Sequence, residues 1–122
     1  MSKRSFTGSG SARVIADYLL DMLQKGSASC ELVDRAVHAT PAGEAVLLVF
    51  DKFYWRNNSR ASLTVLLLSE GGRITADCIA AGGSRSSFTR MNWGAEADFA
   101  DAAAKLLLQL GFTETGEASC AE

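Results

Sequence analysis

The chain has 122 residues, of which 48% are hydrophobic and 21% are charged, and its formal net charge is -2 at pH 7. This length and composition indicate one globular domain, which at this size buries roughly two-thirds of the surface of its unfolded chain. The slight acidity provides no overall attraction to nucleic acid or to an anionic membrane. No apolar run approaches the roughly 20 residues that span a bilayer, and the basic N-terminus lacks the apolar segment of a secretory signal.

The first predicted elements are a short strand and a helix. Residues 3–7 are a candidate for the strand, which Gly8 and Gly10 would end. A serine N-cap, Ser9 or Ser11, and Gly26 then mark the two ends of an amphipathic helix. Its apolar positions recur at three- and four-residue steps, as expected for one helical face: Val14, Ile15, Tyr18, Leu19, Met22 and Leu23.

Residues 30–81 predict four strands of an antiparallel meander, because apolar side chains alternate along them. Turns at residues 40–43, 57–59 and 70–72 separate the strands, since proline, asparagine and glycine favour turn backbone. Residues 87–91 are a second candidate for a further short strand. We therefore expect a sheet of four or five strands.

A second helix is predicted to begin near Asn92 or Trp93 and to end at Gly111. Its apolar stripe consists of Phe99, Ala102, Ala103, Leu106, Leu107 and Leu110. The fold class is therefore α+β, a two-layer sandwich with both helices on one face of the meander. We expect a single domain over residues 1–112 and a disordered tail over residues 113–122, which are small, polar and acidic.

The two central strands are apolar on both faces, which is unusual for an antiparallel sheet with one exposed side. On one face lie Val46, Leu48, Val65 and Leu67, and on the other lie Leu47, Val49, Leu66 and Leu68. Two helices cover only one of these faces. The second requires another copy of the chain, an apolar ligand or a partner protein, unless a strong twist lets the chain cover both faces itself. We expect a homodimer, because isologous pairing is the commonest solution in small domains.

The candidate ligand-binding residues are Tyr54, Arg56, Arg60, Asp77, Arg85 and Trp93. Asp77 is an acidic residue in an otherwise apolar strand. Residues 82–87 could cradle an anion with Arg85, although they lack the GK[ST] ending of a P-loop. Basic and aromatic residues make the middle of the chain, from Lys52 to Arg90, locally basic and aromatic. This pattern also suits single-stranded nucleic acid, but the acidity of the whole chain argues against that partner.

No motif in the sequence indicates a catalytic site or a metal site. His38 is the single histidine and has no HxxxH or HExxH context. The cysteines are Cys30, Cys78 and Cys120, an odd number without CxxC spacing, so we expect no disulfide framework and a reducing cytoplasm. No pair of carboxylates has a spacing that indicates acid–base catalysis. We therefore predict no catalytic residue, no metal and no cofactor.

Several motifs together resemble a family of small uncharacterised bacterial proteins. They are the run Asp51-Lys52-Phe53-Tyr54 with Arg56, the segment from Arg60 to Val65 (RASLTV), the pair Gly82-Gly83 and the segment from Trp93 to Glu96 (WGAE). The resemblance extends from about Ala45 to the second helix. It implies a bacterial cytoplasmic domain of unknown function and no activity. Together, these observations favour a non-catalytic binding or protein-interaction module that acts as a homodimer. The alternative is a small-ligand-binding protein or an enzyme, with a pocket between sheet and helices.

Overall fold

A computed structural model describes residues 2–27, 29–54, 59–82 and 93–119, and the side chains of these residues except 93–96 and 117–119. The two helices are α1 (Ala12–Lys25) and α2 (Trp93–Gln109). The six strands are β1 (Ser2–Ser9), β2 (Cys30–Thr40), β3 (Gly43–Tyr54), β4 (Ser59–Glu70), β5 (Arg73–Gly82) and β6 (Thr113–Ser119). Within the described residues, neither helix is long and apolar enough to cross a membrane.

The strands form one antiparallel sheet in the order β2-β3-β4-β5-β1-β6. The predicted α+β class with an antiparallel meander is confirmed, since β2 to β5 follow one another in sequence and in space. The predicted strand number, four or five, is wrong because the described residues form a sheet of six strands. The candidate strand at residues 87–91 lies outside the described residues. β1 is a full central strand between β5 and β6, and β6 occupies most of the segment for which disorder was predicted.

The burial of one large side chain stabilises β1 in the sheet. Phe6 is completely buried and lies opposite Ala76 of β5. Burying a phenylalanine contributes about 1.5–3 kcal/mol, which compensates for the poor strand propensity of the serines and glycine around it. β6 then pairs along the free edge of β1, with a register shift between Ser5 and Phe6.

Both helices pack on one face of the sheet, and one continuous core joins them to it. α1 contacts β2, β3 and β4, whereas α2 contacts β4, β5 and β1. The buried stripe of α1 is rotated from the predicted one, because Ala12 and Ala16 face the sheet while Val14 is 66% exposed. Small alanines on the buried side let the helix approach the strands closely, so the larger Val14 and Met22 turn towards solvent.

Two of the turns depend on glycine. Gly71 and Gly72 connect β4 to β5 with φ of 62° and 84°, the left-handed backbone of a two-residue hairpin turn. Gly43 begins β3 where a Cβ atom would lie 2.1 Å from the carbonyl oxygen of Ser69. The close approach of β3 to β4 at that point is therefore possible only without a side chain.

Candidate functional site

The sheet face that points away from the helices, called the open face below, carries an apolar cluster on β2, β3, β4 and β5. The cluster consists of Ala36, Ala45, Leu47, Val49, Leu66, Leu68 and Ile79. Leu47 lies directly opposite Leu66, and Ala45 lies opposite Leu68, so these side chains adjoin across the β3–β4 ladder. Leu66 remains 37% exposed at the centre of the cluster.

The alternation of side chains explains why the two described helices leave this face uncovered. Leu48, Val65 and Leu67 point to the helices and have no exposed surface. Their sequence neighbours must point the other way, because successive residues of a strand alternate between faces. The buried residues of α1 and α2 all belong to the core on the helix side, and no other described element packs on the open face. Within the described residues, the chain therefore places no helix or strand over this face, and its cover by a second copy, a ligand or a partner protein stays a prediction.

Charged and polar side chains surround the apolar cluster. Asp77 lies opposite Leu66 on β5 and accepts a 2.6 Å hydrogen bond from the hydroxyl of Ser5. Arg60 forms an ion pair with Asp51 at the other end of the face, where a shallow depression lies between them and the end of β5. These contacts satisfy the polar groups locally, so the face has an apolar centre and a polar rim, as protein interfaces do.

The predicted ligand-binding residues do not form one pocket. Tyr54 lies on the helix side of the sheet, whereas Arg60 and Asp77 lie on the open face. Arg60 and Asp77 are also separated along the sheet by six residues of β4, roughly 20 Å at strand spacing. Arg56 and Arg85 fall outside the described residues, as does the side chain of Trp93. The structure thus brings Arg60 together with Asp51, and Asp77 together with Ser5.

A groove that sequence reasoning missed lies on the opposite side, between the C-terminal half of α1 and α2. Its volume is about 240 Å³. Its apolar lining comes from both helices and the start of β2: Met22, Leu23, Cys30, Phe99, Ala102 and Leu106. Lys52 of β3 and Lys105 of α2 also line this apolar site. In the sequence, the groove is indicated only by a lysine next to apolar positions in each of two elements, Lys52 in a strand and Lys105 in a helix.

Lys52 and Cys30 determine the local electrostatics of the groove. The Nζ of Lys52 lies 4.8 Å from the centre of the Tyr54 ring and 5.7 Å from that of Phe99, within range for cation–π attraction. Burial raises the pKa of the Cys30 thiol, an effect that the nearby Lys52 ammonium only partly opposes. A thiol whose pKa is raised stays protonated at neutral pH, so Cys30 is an apolar wall of the groove and not a nucleophile.

A second charged cluster is structural. Arg4 donates two 2.8 Å hydrogen bonds to the carboxylate of Glu114 on β6 and one of 2.6 Å to Asp101 on α2. This arrangement fastens the edge strand β6 to the helix layer. The same hydrogen bonds lower the pKa of the Glu114 carboxyl. Burial raises the pKa of Cys78 to about 12, which fits its predicted role as a small core residue.

Neither the described side chains nor the comparisons with known proteins indicate an activity. Among the described residues, no group of three histidine, cysteine, aspartate or glutamate side chains is placed to hold a metal ion. No curated protein and no solved structure matches the chain. Residues 1–111 match the model of DUF6054, a family of unknown function.

Proposed function

The chain belongs to this family of unknown function, and we propose that it acts as a non-catalytic interaction module that forms a homodimer through its open face. The observation that carries the proposal is the apolar cluster around Leu47 and Leu66, which no described element covers. Contiguous exposed apolar patches of this kind mark interaction sites in soluble domains. A bacterial cytoplasm is part of the same proposal, because a reducing compartment preserves the buried free thiols of Cys30 and Cys78.

The open face has the size of an interface. Four strands about 4.8 Å apart, each with about ten residues at about 3.3 Å per residue, present an area on the order of 600 Å². A standard protein–protein interface buries about 800 Å² on each partner. Packing two such faces with the usual separation of about 10 Å between sheets produces a sandwich without any rearrangement of the strands.

A two-fold arrangement fits the distribution of apolar side chains. An axis parallel to the strands and midway between β3 and β4 places Leu47 of each copy over Leu66 of the other, because these two residues share one row of the sheet. The same axis places Asp77 over the edge strand β2, in the row of Ala36. The carboxylate then lies towards the rim, where it keeps its bond to Ser5 and access to water.

Sedimentation equilibrium of the wild type and of Leu66→Lys tests this proposal. A lysine at this position would place two ammonium groups in the apolar centre of the dimer, where removing a charge from water costs several kcal/mol even though Asp77 lies on the neighbouring strand. We expect a wild-type dimer at micromolar concentration and a dissociation constant at least roughly 100-fold higher for the variant.

The matched control is Val14→Lys, which places the same charge on a side chain that is exposed on the outer side of α1. We expect this variant to dimerise as the wild type does. A wild-type chain that stays monomeric at these concentrations, or equal weakening by both substitutions, would refute the open face as a dimer interface. Circular dichroism of each variant shows whether it is folded.

A further inference from the structure

The groove between α1 and α2 is a second site, independent of the open face. It lies on the other side of the sheet, where Leu23, Phe99 and Leu106 provide its apolar walls. A cavity of about 240 Å³ is close to the lower end of the roughly 300–1,000 Å³ found for small-molecule sites. The occupant must therefore be small and largely apolar.

Two lysines beside the apolar walls favour an occupant with a negative charge. Lys52 and Lys105 both line the groove, and in the described part of the chain neither forms an ion pair with a carboxylate. Arg4, Arg13 and Arg60, by contrast, each have a carboxylate partner. An anion bound between the two ammonium groups would form the charge-assisted contacts that the protein itself does not supply.

We infer that the groove binds a small amphipathic carboxylate, with its hydrocarbon part between the helices and its carboxylate at Lys52 and Lys105. The position of Lys52 supports this orientation, because the aromatic rings of Tyr54 and Phe99 hold its ammonium group at the edge of the apolar surface. Cys30 is an apolar wall of the groove. Its thiol is neutral, so it adds apolar contact and no negative charge that would repel a bound carboxylate.

Octanoate is the probe for this inference, with octan-1-ol as a neutral molecule of the same chain length and octylamine as the cationic one. Titration followed by amide chemical shifts reports both affinity and position. We expect octanoate to bind with shifts concentrated at Met22, Gly26 and Phe99, and octan-1-ol and octylamine to bind roughly tenfold more weakly or not at all, since they lack the charge-assisted contact.

Three variants test the contacts. Lys52→Met and Lys105→Met keep an unbranched side chain and remove the charge, so each should weaken octanoate binding on the order of tenfold while leaving octan-1-ol binding unchanged. Leu106→Trp fills the groove and keeps both lysines, so it should abolish binding of both molecules. Arg13→Met removes a charge from the opposite end of α1, roughly 14 Å or more along the helix from the groove, and should change nothing.

The inference is overturned if octanoate, octan-1-ol and octylamine bind equally well, if the shifts map to the open face, or if folded Lys52→Met and Leu106→Trp bind octanoate as the wild type does. Absence of octanoate binding to the wild type at millimolar concentration also overturns it. Sedimentation of the same variants separates the two proposals, because groove variants should keep the wild-type mass whether or not the open face forms a dimer.

Discussion

Leu66 and Leu67 are adjacent in sequence and identical in chemistry, yet they point to opposite faces of β4. Leu67 has no exposed surface and belongs to the core, whereas Leu66 is 37% exposed on the open face. We predict that Leu67→Ala lowers the unfolding free energy of the monomer by about 3 kcal/mol, the usual cost of a cavity in a packed core. Leu66→Ala should cost the monomer only about 1 kcal/mol, because no described element packs over that side chain and no enclosed cavity forms.

The effect of Leu66→Ala appears instead in the dimer. The exposed third of a leucine contributes about 0.5–1 kcal/mol when it is buried, and the two-fold arrangement buries it in both copies. The dissociation constant should therefore rise roughly 5- to 30-fold, since each 1.4 kcal/mol corresponds to a factor of ten. Leu67→Ala should leave the dissociation constant of the folded chain nearly unchanged.

Urea unfolding at concentrations below the dissociation constant provides the monomer stabilities, and sedimentation equilibrium provides the dissociation constants. Equal losses of monomer stability in the two variants would refute the reasoning, because Leu66 would then be buried within a single chain. A dissociation constant unaffected by Leu66→Ala would equally refute it, since the centre of the apolar cluster would then lie outside any interface.

Three further predictions concern the rest of the fold. Arg4→Met should destabilise the chain by about 2 kcal/mol in urea unfolding, because it removes the paired hydrogen bonds to Glu114, whereas Asp101→Asn should cost less than about 1 kcal/mol at its exposed position. The hydrogen bonds from Arg4 lower the pKa of the Glu114 carboxyl from its ordinary value of 4.5. Their contribution to the free energy of unfolding is therefore complete above pH 4.5 and is lost as the pH falls through the lower pKa of the folded state. Glu114→Gln should flatten this part of the acid-unfolding profile. Gly43→Ala should lower the melting temperature through its clash with the neighbouring strand, by the equivalent of about 1–3 kcal/mol, whereas Gly116→Ala, which meets nothing within 4 Å, should not.

The sequence predicts β2 to β5 well because each strand carries its own alternation and each turn its own proline, asparagine or glycine. β1 and β6 carry little of that signal. Phe6 is the single large apolar residue of β1, and its partner Ala76 lies 70 positions later in the chain. Strand formation there depends on the distant partner, and local propensity does not reveal such long-range pairing.

The candidate site likewise has one part that local sequence pattern predicts and another that depends on residues distant in the chain. The alternation along β3 and β4 was enough to place Leu47 and Leu66 together on a second apolar face. The same alternation does not predict the groove, because Lys52 and Lys105 lie 53 positions apart in the sequence, one on a strand and the other on a helix. Their meeting depends on how α2 crosses the sheet, which is a matter of helix packing and not of any motif. Likewise, Tyr54 and Arg60 are close in sequence, but strand parity places them on opposite faces.

The methyl groups of Leu66 provide the most direct test of the account. Their relaxation by a soluble gadolinium complex reports how closely solvent approaches them, with Val14 of α1 as the exposed reference and Leu67 as the buried one. We predict that Leu66 is protected like Leu67 at concentrations above the dissociation constant and is relaxed towards the level of Val14 after dilution below it. Leu66 methyl groups that respond to the gadolinium complex equally at both concentrations would contradict the claim that a second copy of the chain covers the open face.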